Sequence, residues 1–249
     1  MKKNRNNNNN NVSRGKQGSQ ERSEPKLRAV RIDDLGTFDA LTDNQQITFD
    51  EYAKDKSLLL HGVAGTGKTF LGMLLGLEEV LDPSIVYSQL CIVRSVVPTR
   101  DIGFLKGTDE EKIAIYELPY RAICKELFSS ETAYDALKQQ GNVQFTSTSF
   151  IRGLTFDNAI ILVDEMQNLT FHELDSIITR PGKNSKVVLC GDYTQTDLAK
   201  HSDKEGIKTF MKILNRMNEF STVEFEVDDI VRSDFVKSYI IAKLELGIT

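Results

Sequence analysis

Six short apolar runs recur along the chain, at Ser57–His61, Leu90–Arg94, Val143–Thr146, Ala159–Asp164, Lys186–Cys190 and Thr222–Val227. Most are continuous rather than alternating, which is the pattern of strands covered on both faces. Between and after them lie longer segments: Gly67–Leu81 is apolar throughout, Glu110–Phe128 mixes charge with Ile, Tyr and Leu, and Phe171–Thr179 is amphipathic. Ile207–Met217 and Asp234–Leu246 repeat apolar residues at helical spacing. Strands separated by helix-length segments predict an α/β domain, a mostly parallel sheet flanked by helices with right-handed crossovers. Phe145, Phe150 and Phe156 alternate with polar neighbours and read as core residues rather than as a base-stacking platform.

The first 31 residues carry no such pattern. They are rich in Asn, Ser, Gln and Gly, and hold nine Lys/Arg against two Glu, a charge of +7. The remaining residues carry −12, for a net charge of −5. Residues 1–31 therefore read as a disordered basic arm, unable to bury enough surface to offset the entropy of ordering, ahead of an acidic domain over 32–249. A solvated tail is the plain reading of the arm, and an electrostatic tether for nucleic acid the functional one. No apolar run approaches the roughly 18 residues of a membrane helix, and no apolar segment follows the N-terminal lysines, so a cytoplasmic protein without a membrane partner is expected. Cys91, Cys124 and Cys190 are far apart in sequence and read as buried reduced thiols. His61, His172 and His201 show no ligand spacing.

The chemistry concentrates after the first strand. Gly62-Val63-Ala64-Gly65-Thr66-Gly67-Lys68-Thr69 satisfies G-x-x-x-x-G-K-[ST] between a strand and a helix, a match expected by chance on the order of once in a hundred chains of this length. Glycines let such a loop turn its N–H groups inward onto phosphate oxygens, and the following helix adds its positive end. Lys68 would reach the β- and γ-phosphates, and the Thr69 hydroxyl would ligate Mg²⁺. The run Ile160-Ile161-Leu162-Val163-Asp164-Glu165 places two carboxylates at the carboxyl end of a strand, where ligands collect in open α/β sheets. Asp164 would hold the metal shell, and Glu165 would polarise the attacking water as general base.

The segment Val163–Thr170, Val-Asp-Glu-Met-Gln-Asn-Leu-Thr, resembles the DEAQN box of the PhoH-like ATPases, with Met166 in place of the usual Ala. Ile151–Thr155 resembles that family's IRGRT element with Leu154 for an arginine. Thr179-Arg180 resembles its LTR box, and Gly191–Leu198 its GD-x-x-Q-x-DL box. Arg94–Pro98, Gly103–Gly107 and Asp229–Arg232 resemble its R-x-x-V, GFLPG and DVVR segments. The likeness runs from about Leu41 to Val236. It implies one RecA-like P-loop NTPase domain with motifs related to superfamily 1 helicases, binding and hydrolysing ATP.

Under that resemblance Gln195 would sense the γ-phosphate, the alternative being a loop glutamine that bonds its own turn. Gln45 resembles the adenine-reading glutamine of helicases, with Gln46 close enough to leave the register open. Arg232 would be an arginine finger, acting in cis or reaching the next subunit of a homo-oligomeric ring such as a hexamer, against a plain salt bridge to Asp228 or Asp229. Arg94 and Arg152 are phosphate contacts or ion-pair partners. The expected function is Mg²⁺-dependent ATP hydrolysis coupled to remodelling of RNA or single-stranded DNA. The alternative is a nucleotide-responsive regulatory or assembly protein. The absence of an Asn/Thr-Lys-x-Asp guanine signature leans towards adenine.

Overall fold

The structure, a computed structural model, describes residues 27–96, 109–192 and 201–247. Its sheet contains β1 (Ser57–Gly62), β2 (Gln89–Arg94), β3 (Val143–Ser147), β4 (Ala159–Val163), β5 (Lys186–Gly191) and β6 (Phe220–Phe225). The order is β3-β2-β4-β5-β1-β6, and every pairing is parallel. The helices are α1 (Asp43–Tyr52), α2 (Lys68–Leu81), α3 (Asp109–Phe128), α4 (Ala133–Gln140), α5 (Phe171–Ile178), α6 (His201–Leu214) and α7 (Asp234–Glu245). This is a RecA-like α/β domain with its sheet between two helical layers.

Strand residues divide with period two between the two sides. Leu58, Leu60, Leu90, Ile92, Ile160, Leu162, Val188 and Cys190 pack into one core with α2, α3 and α4. Leu59, Cys91, Val93, Ile161, Val163, Val187 and Leu189 pack into the other with α5 and α6. Both faces are dry, so the strands read as unbroken apolar runs. On α2, Gly72 and Gly76 let the helix lie close on the sheet: a Cβ on them would come within 2.7 Å of Leu162 and 2.8 Å of Leu90.

Two helices have no counterpart in the hydrophobic pattern. The residues α1 turns inward are Gln45, Thr48 and Tyr52, correctly spaced but mostly polar. The short α4 buries Ala133, Tyr134, Ala136 and Leu137, two of them too small to mark a stripe. Boundaries also differ, most of all for α6, which covers His201–Leu214 instead of Ile207–Met217. β6 covers Phe220–Phe225 instead of Thr222–Val227, because Val227 opens a 3₁₀ turn. β4 ends at Val163, and Asp164 lies just past it. Leu27–Arg31, counted with the arm by charge, pack on α4: Val30 is buried, and its N–H and C=O bond the Gln140 amide at 2.7 and 2.9 Å. Among the described residues no helix is long and apolar enough to cross a membrane.

Candidate functional site

Because all strands run in parallel, the loops at their carboxyl ends share one edge of the sheet, and the glycine-rich loop lies there. β1 ends at Gly62 with φ +117°, pressed so closely to β6 that a Cβ would sit 2.1 Å from the Phe225 carbonyl oxygen. That carbonyl accepts the Val63 N–H at 3.0 Å. Gly67 caps α2 in the left-handed conformation, φ +86°, so the helix starts directly at the loop.

Two neighbours grip the loop from outside. Gln45, 4% exposed, donates its amide to the Thr66 carbonyl (3.1 Å) and accepts the Leu41 N–H (2.9 Å). Gln46 lies on the outer face of α1 and bonds Asp50, so it is Gln45 that faces the loop. After β6 the chain returns across the loop, and the Val231 N–H donates to the Gly65 carbonyl (3.1 Å). This strap is itself anchored by buried Asp229, which accepts from the Asn44 amide (2.7 Å) and the Glu226 N–H (2.8 Å). Burial opposes ionisation of Asp229, but the donors Thr42, Asn44 and Glu226 hold its carboxyl below the ordinary value.

The Lys68 ammonium lies inside the loop, donating to the carbonyls of Gly62 (2.9 Å) and Val63 (2.7 Å). Burial lowers its pKa against the opposing pull of Asp192, Cys190, Glu165 and Asp164. Beside it the Thr69 hydroxyl donates to Asp164 Oδ1 at 2.7 Å. Asp164 is buried, with its N–H on the Val93 carbonyl at 2.9 Å. Its other oxygen, Oδ2, accepts the Tyr120 hydroxyl of α3 at 2.8 Å.

The next residue, Glu165, adopts φ +53°, an uncommon conformation for a side chain of its size. Its carboxylate accepts from the amide of buried Gln167, whose carbonyl oxygen accepts the Asp192 N–H at 3.0 Å. Gln167 thereby braces the ends of β4 and β5. Together the loop, Ile123 and Glu126 of α3, Asp164, Glu165, Gln167, Gly191, Asp192 and Arg232 line a cavity of about 340 Å³.

Arg232 therefore stands at the cavity of its own chain, its stem against Gly65, where an added Cβ would be 3.0 Å from Arg232 Cγ. Among the described residues it forms no ion pair, and Asp229 is taken by Asn44. The structure thus brings together Gly62, Val63, Ala64, Gly65, Thr66, Gly67, Lys68, Thr69, Asp164, Glu165, Gln45 and Arg232. Gln195 and the segment 103–107 lie outside the described residues. Arg180 is accounted for locally, donating to the carbonyls of Ser176 (3.0 Å) and Leu154 (3.3 Å) and so fastening the β3–β4 connection.

One expectation is corrected. Phe145 is half-buried against the core and Phe156 is 4% exposed, but Phe150 is 64% exposed, because the turn after β3 gives the inward position to Ile151. Tyr120, Ile123 and Glu126 had no local signal, since their helix carries them in from a distant part of the chain. Gln167 and Asp192 stand within quoted boxes but acquire a bonding role only in three dimensions.

The donors suit a hard divalent cation and a phosphate chain: a hydroxyl and a carboxylate are already oriented together, beside an ammonium and the N-terminus of α2. The sequence model of a family described as PhoH-like protein matches residues 37–243. Protein PhoH2 of Bacillus subtilis is 40% identical over 142 residues, covering 55% of this chain and 32% of that protein. A PhoH-like protein of Synechocystis is 32% identical over 177 residues, covering 71% of this chain and 53% of that one. Protein PhoH of Escherichia coli K12 is 31% identical, covering 69% and 48%. The chain thus spans about half or less of the length of these relatives. Among solved structures, the Hef helicase domain of Pyrococcus furiosus aligns with a TM-score of 0.45 at 14% identity, covering 75% of this chain and 38% of that one. The large terminase of a thermophilic bacteriophage, in complex with ADP, aligns with 0.44 at 11%, covering 80% and 48%.

Proposed function

This chain belongs to the family of PhoH-like proteins, and from that premise we propose that it binds ATP with Mg²⁺ and hydrolyses it, coupling hydrolysis to remodelling of RNA or single-stranded DNA. The observation that carries the reading is the 2.7 Å hydrogen bond between Thr69 and Asp164 at the mouth of the glycine loop. A hydroxyl on the loop and a carboxylate 95 residues away meet where a triphosphate's metal would be held.

Each residue then has a task. The loop N–H groups and the α2 N-terminus bind phosphate, and Lys68 exchanges its two carbonyl partners for the β- and γ-oxygens. Thr69 and Asp164 would hold Mg²⁺, which when bound would neutralise charge on the phosphate oxygens. Glu165 orients and deprotonates water from its left-handed turn, with Gln167 fixing the carboxylate. Arg232 stabilises the charge that spreads over the transferred phosphoryl group. Gln195 is the proposed γ-phosphate sensor. The test is hydrolysis of each nucleoside triphosphate by purified protein, with and without Mg²⁺ and RNA. No nucleotide binding by folded protein in the presence of Mg²⁺ would overturn the reading.

The polynucleotide half is supported by the +7 arm, and RNA stimulation at low salt, fading as salt rises, is the expected signature. A homo-oligomer is supported by α7, which buries none of its residues although Phe235 is 82% and Tyr239 63% exposed. Apolar surface of this kind marks association. The assembly reading rests on that same helix, and lack of stimulation by any polynucleotide would favour it.

A further inference from the structure

Outside the residues already given a task, one buried group touches the proposed metal site. Tyr120 is fully buried on α3, 44 residues from Asp164 in sequence, and its hydroxyl donates to Asp164 Oδ2 at 2.8 Å. The guanidinium of Arg94, at the end of β2, lies near enough to the same hydroxyl to interact with it. A guanidinium has only donors, and a phenol that accepts from one donates more strongly in turn. The order of the chain is therefore Arg94 to Tyr120 to Asp164.

Both oxygens of Asp164 are thereby held by hydroxyl groups of different character. Thr69 is on the loop and can turn its oxygen to a cation. Tyr120 is locked in the core against Phe145, ring centroids 5.8 Å apart, and only fixes the plane of the carboxylate. The same helix contributes Ile123 and Glu126 to the wall of the cavity.

We propose that Tyr120, oriented by Arg94, is a positioning residue that presets the Asp164 carboxylate for the divalent cation and ties α3 to metal-nucleotide binding. This rests on the nucleotide-site reading above and adds to it a residue and a helix that no motif of the chain marks.

The test uses the full-length protein and a fluorescent ADP, titrated in EDTA and again in Mg²⁺. Tyr120→Phe removes one oxygen and keeps the ring. Loss of a hydrogen bond to a charged group predicts that the affinity gained on adding Mg²⁺ falls about tenfold or more, while affinity in EDTA stays within about twofold. The half-saturating Mg²⁺ concentration for hydrolysis should rise in step. Arg94→Met, which leaves Tyr120 in place, should act in the same direction, and in the Tyr120→Phe background it should add nothing. A purely structural tyrosine would lower thermal stability and weaken binding equally with and without Mg²⁺. An unchanged Mg²⁺-dependent gain in folded Tyr120→Phe, or additive effects of the two substitutions, overturns the relay and leaves the nucleotide site standing. Absence of any Mg²⁺-dependent binding by the unsubstituted protein overturns both. Should Tyr120→Phe not fold, Arg94→Met decides by the same titration.

Discussion

Gln45→Ala tests how far the glycine loop is held by α1 rather than by its own sequence. The substitution removes two hydrogen bonds, to the Thr66 carbonyl at 3.1 Å and from the Leu41 N–H at 2.9 Å, in a residue that is 4% exposed. Each bond contributes about 1 kcal/mol, and a carbonyl left buried without its donor costs about 1–3 kcal/mol more, so the protein should lose roughly 3–5 kcal/mol. In a domain of this size that lowers Tm by roughly 6–20 °C. The loop must then be ordered by the nucleotide itself, and about 1.4 kcal/mol of that burden means about tenfold weaker affinity. Urea unfolding and titration with a fluorescent nucleotide measure the two effects separately. Gln46→Ala is the control, since its side chain bonds only Asp50 on the outer face and should cost within about 0.5 kcal/mol. Wild-type stability and affinity in Gln45→Ala, or equal losses in Gln46→Ala, would refute the reasoning. A loss confined to discrimination of ATP from GTP would mean that Gln45 reads the base and does not brace the loop.

Further outcomes follow from the same geometry. Glu165→Gln should bind nucleotide normally and hydrolyse it at least about a hundredfold more slowly in single-turnover assays, the range for a general base. Arg232→Ala should cost about a thousandfold in steady-state hydrolysis if the guanidinium acts on the phosphoryl group, and activity within about threefold of wild type removes that role. Glu79→Leu would leave Lys186, buried at the start of β5, with Asp55 (2.9 Å) as its one carboxylate partner among the described residues, and would remove the acceptor of the Tyr52 hydroxyl. Stripping a buried charge of all its partners costs about 3–5 kcal/mol, so this loss should be smaller, and turnover per folded molecule should not change, because the pair lies at the opposite end of the strands. Asp229 ionises more readily in the folded state, so its contribution is present above the ordinary carboxyl value of 3.8 and is lost as pH falls through the lowered one. Urea midpoints measured from about pH 6 to about pH 3 should therefore fall more steeply for wild type than for Asp229→Asn.

The sequence by itself determined the elements that repeat a simple physical rule. Strands buried on both faces are apolar at nearly every position, so β1, β2, β4 and β5 were legible to within a residue or two at each end, as was the edge strand β3 despite its exposed Gln144. The glycine loop was legible too, because Gly62, Gly65 and Gly67 hold backbone at positive φ, which excludes most side chains at fixed positions, and so was the Asp-Glu pair that ends an apolar run. The arm's composition placed its border a few residues late, since buried Val30 exchanges two hydrogen bonds with the Gln140 amide, donating one and accepting the other.

What only the tertiary structure decided is everything made by residues that are polar, single and distant. The α1 helix escaped the hydrophobic pattern because its inward face is Gln45, Thr48 and Tyr52, groups whose burial depends on partners supplied from elsewhere. Gln167 acquires its meaning from Asp192, and Tyr120 from Asp164 and Arg94, contacts between elements that are neighbours only after the sheet has ordered them. Phe150 points outward and Arg232 inward for the same reason: a loop side chain has no period of its own, and its direction follows from the backbone bonds that pin the segment down. Local periodicity records burial, whereas a site is built from hydrogen bonds across the fold, and those are visible only when the chain has closed.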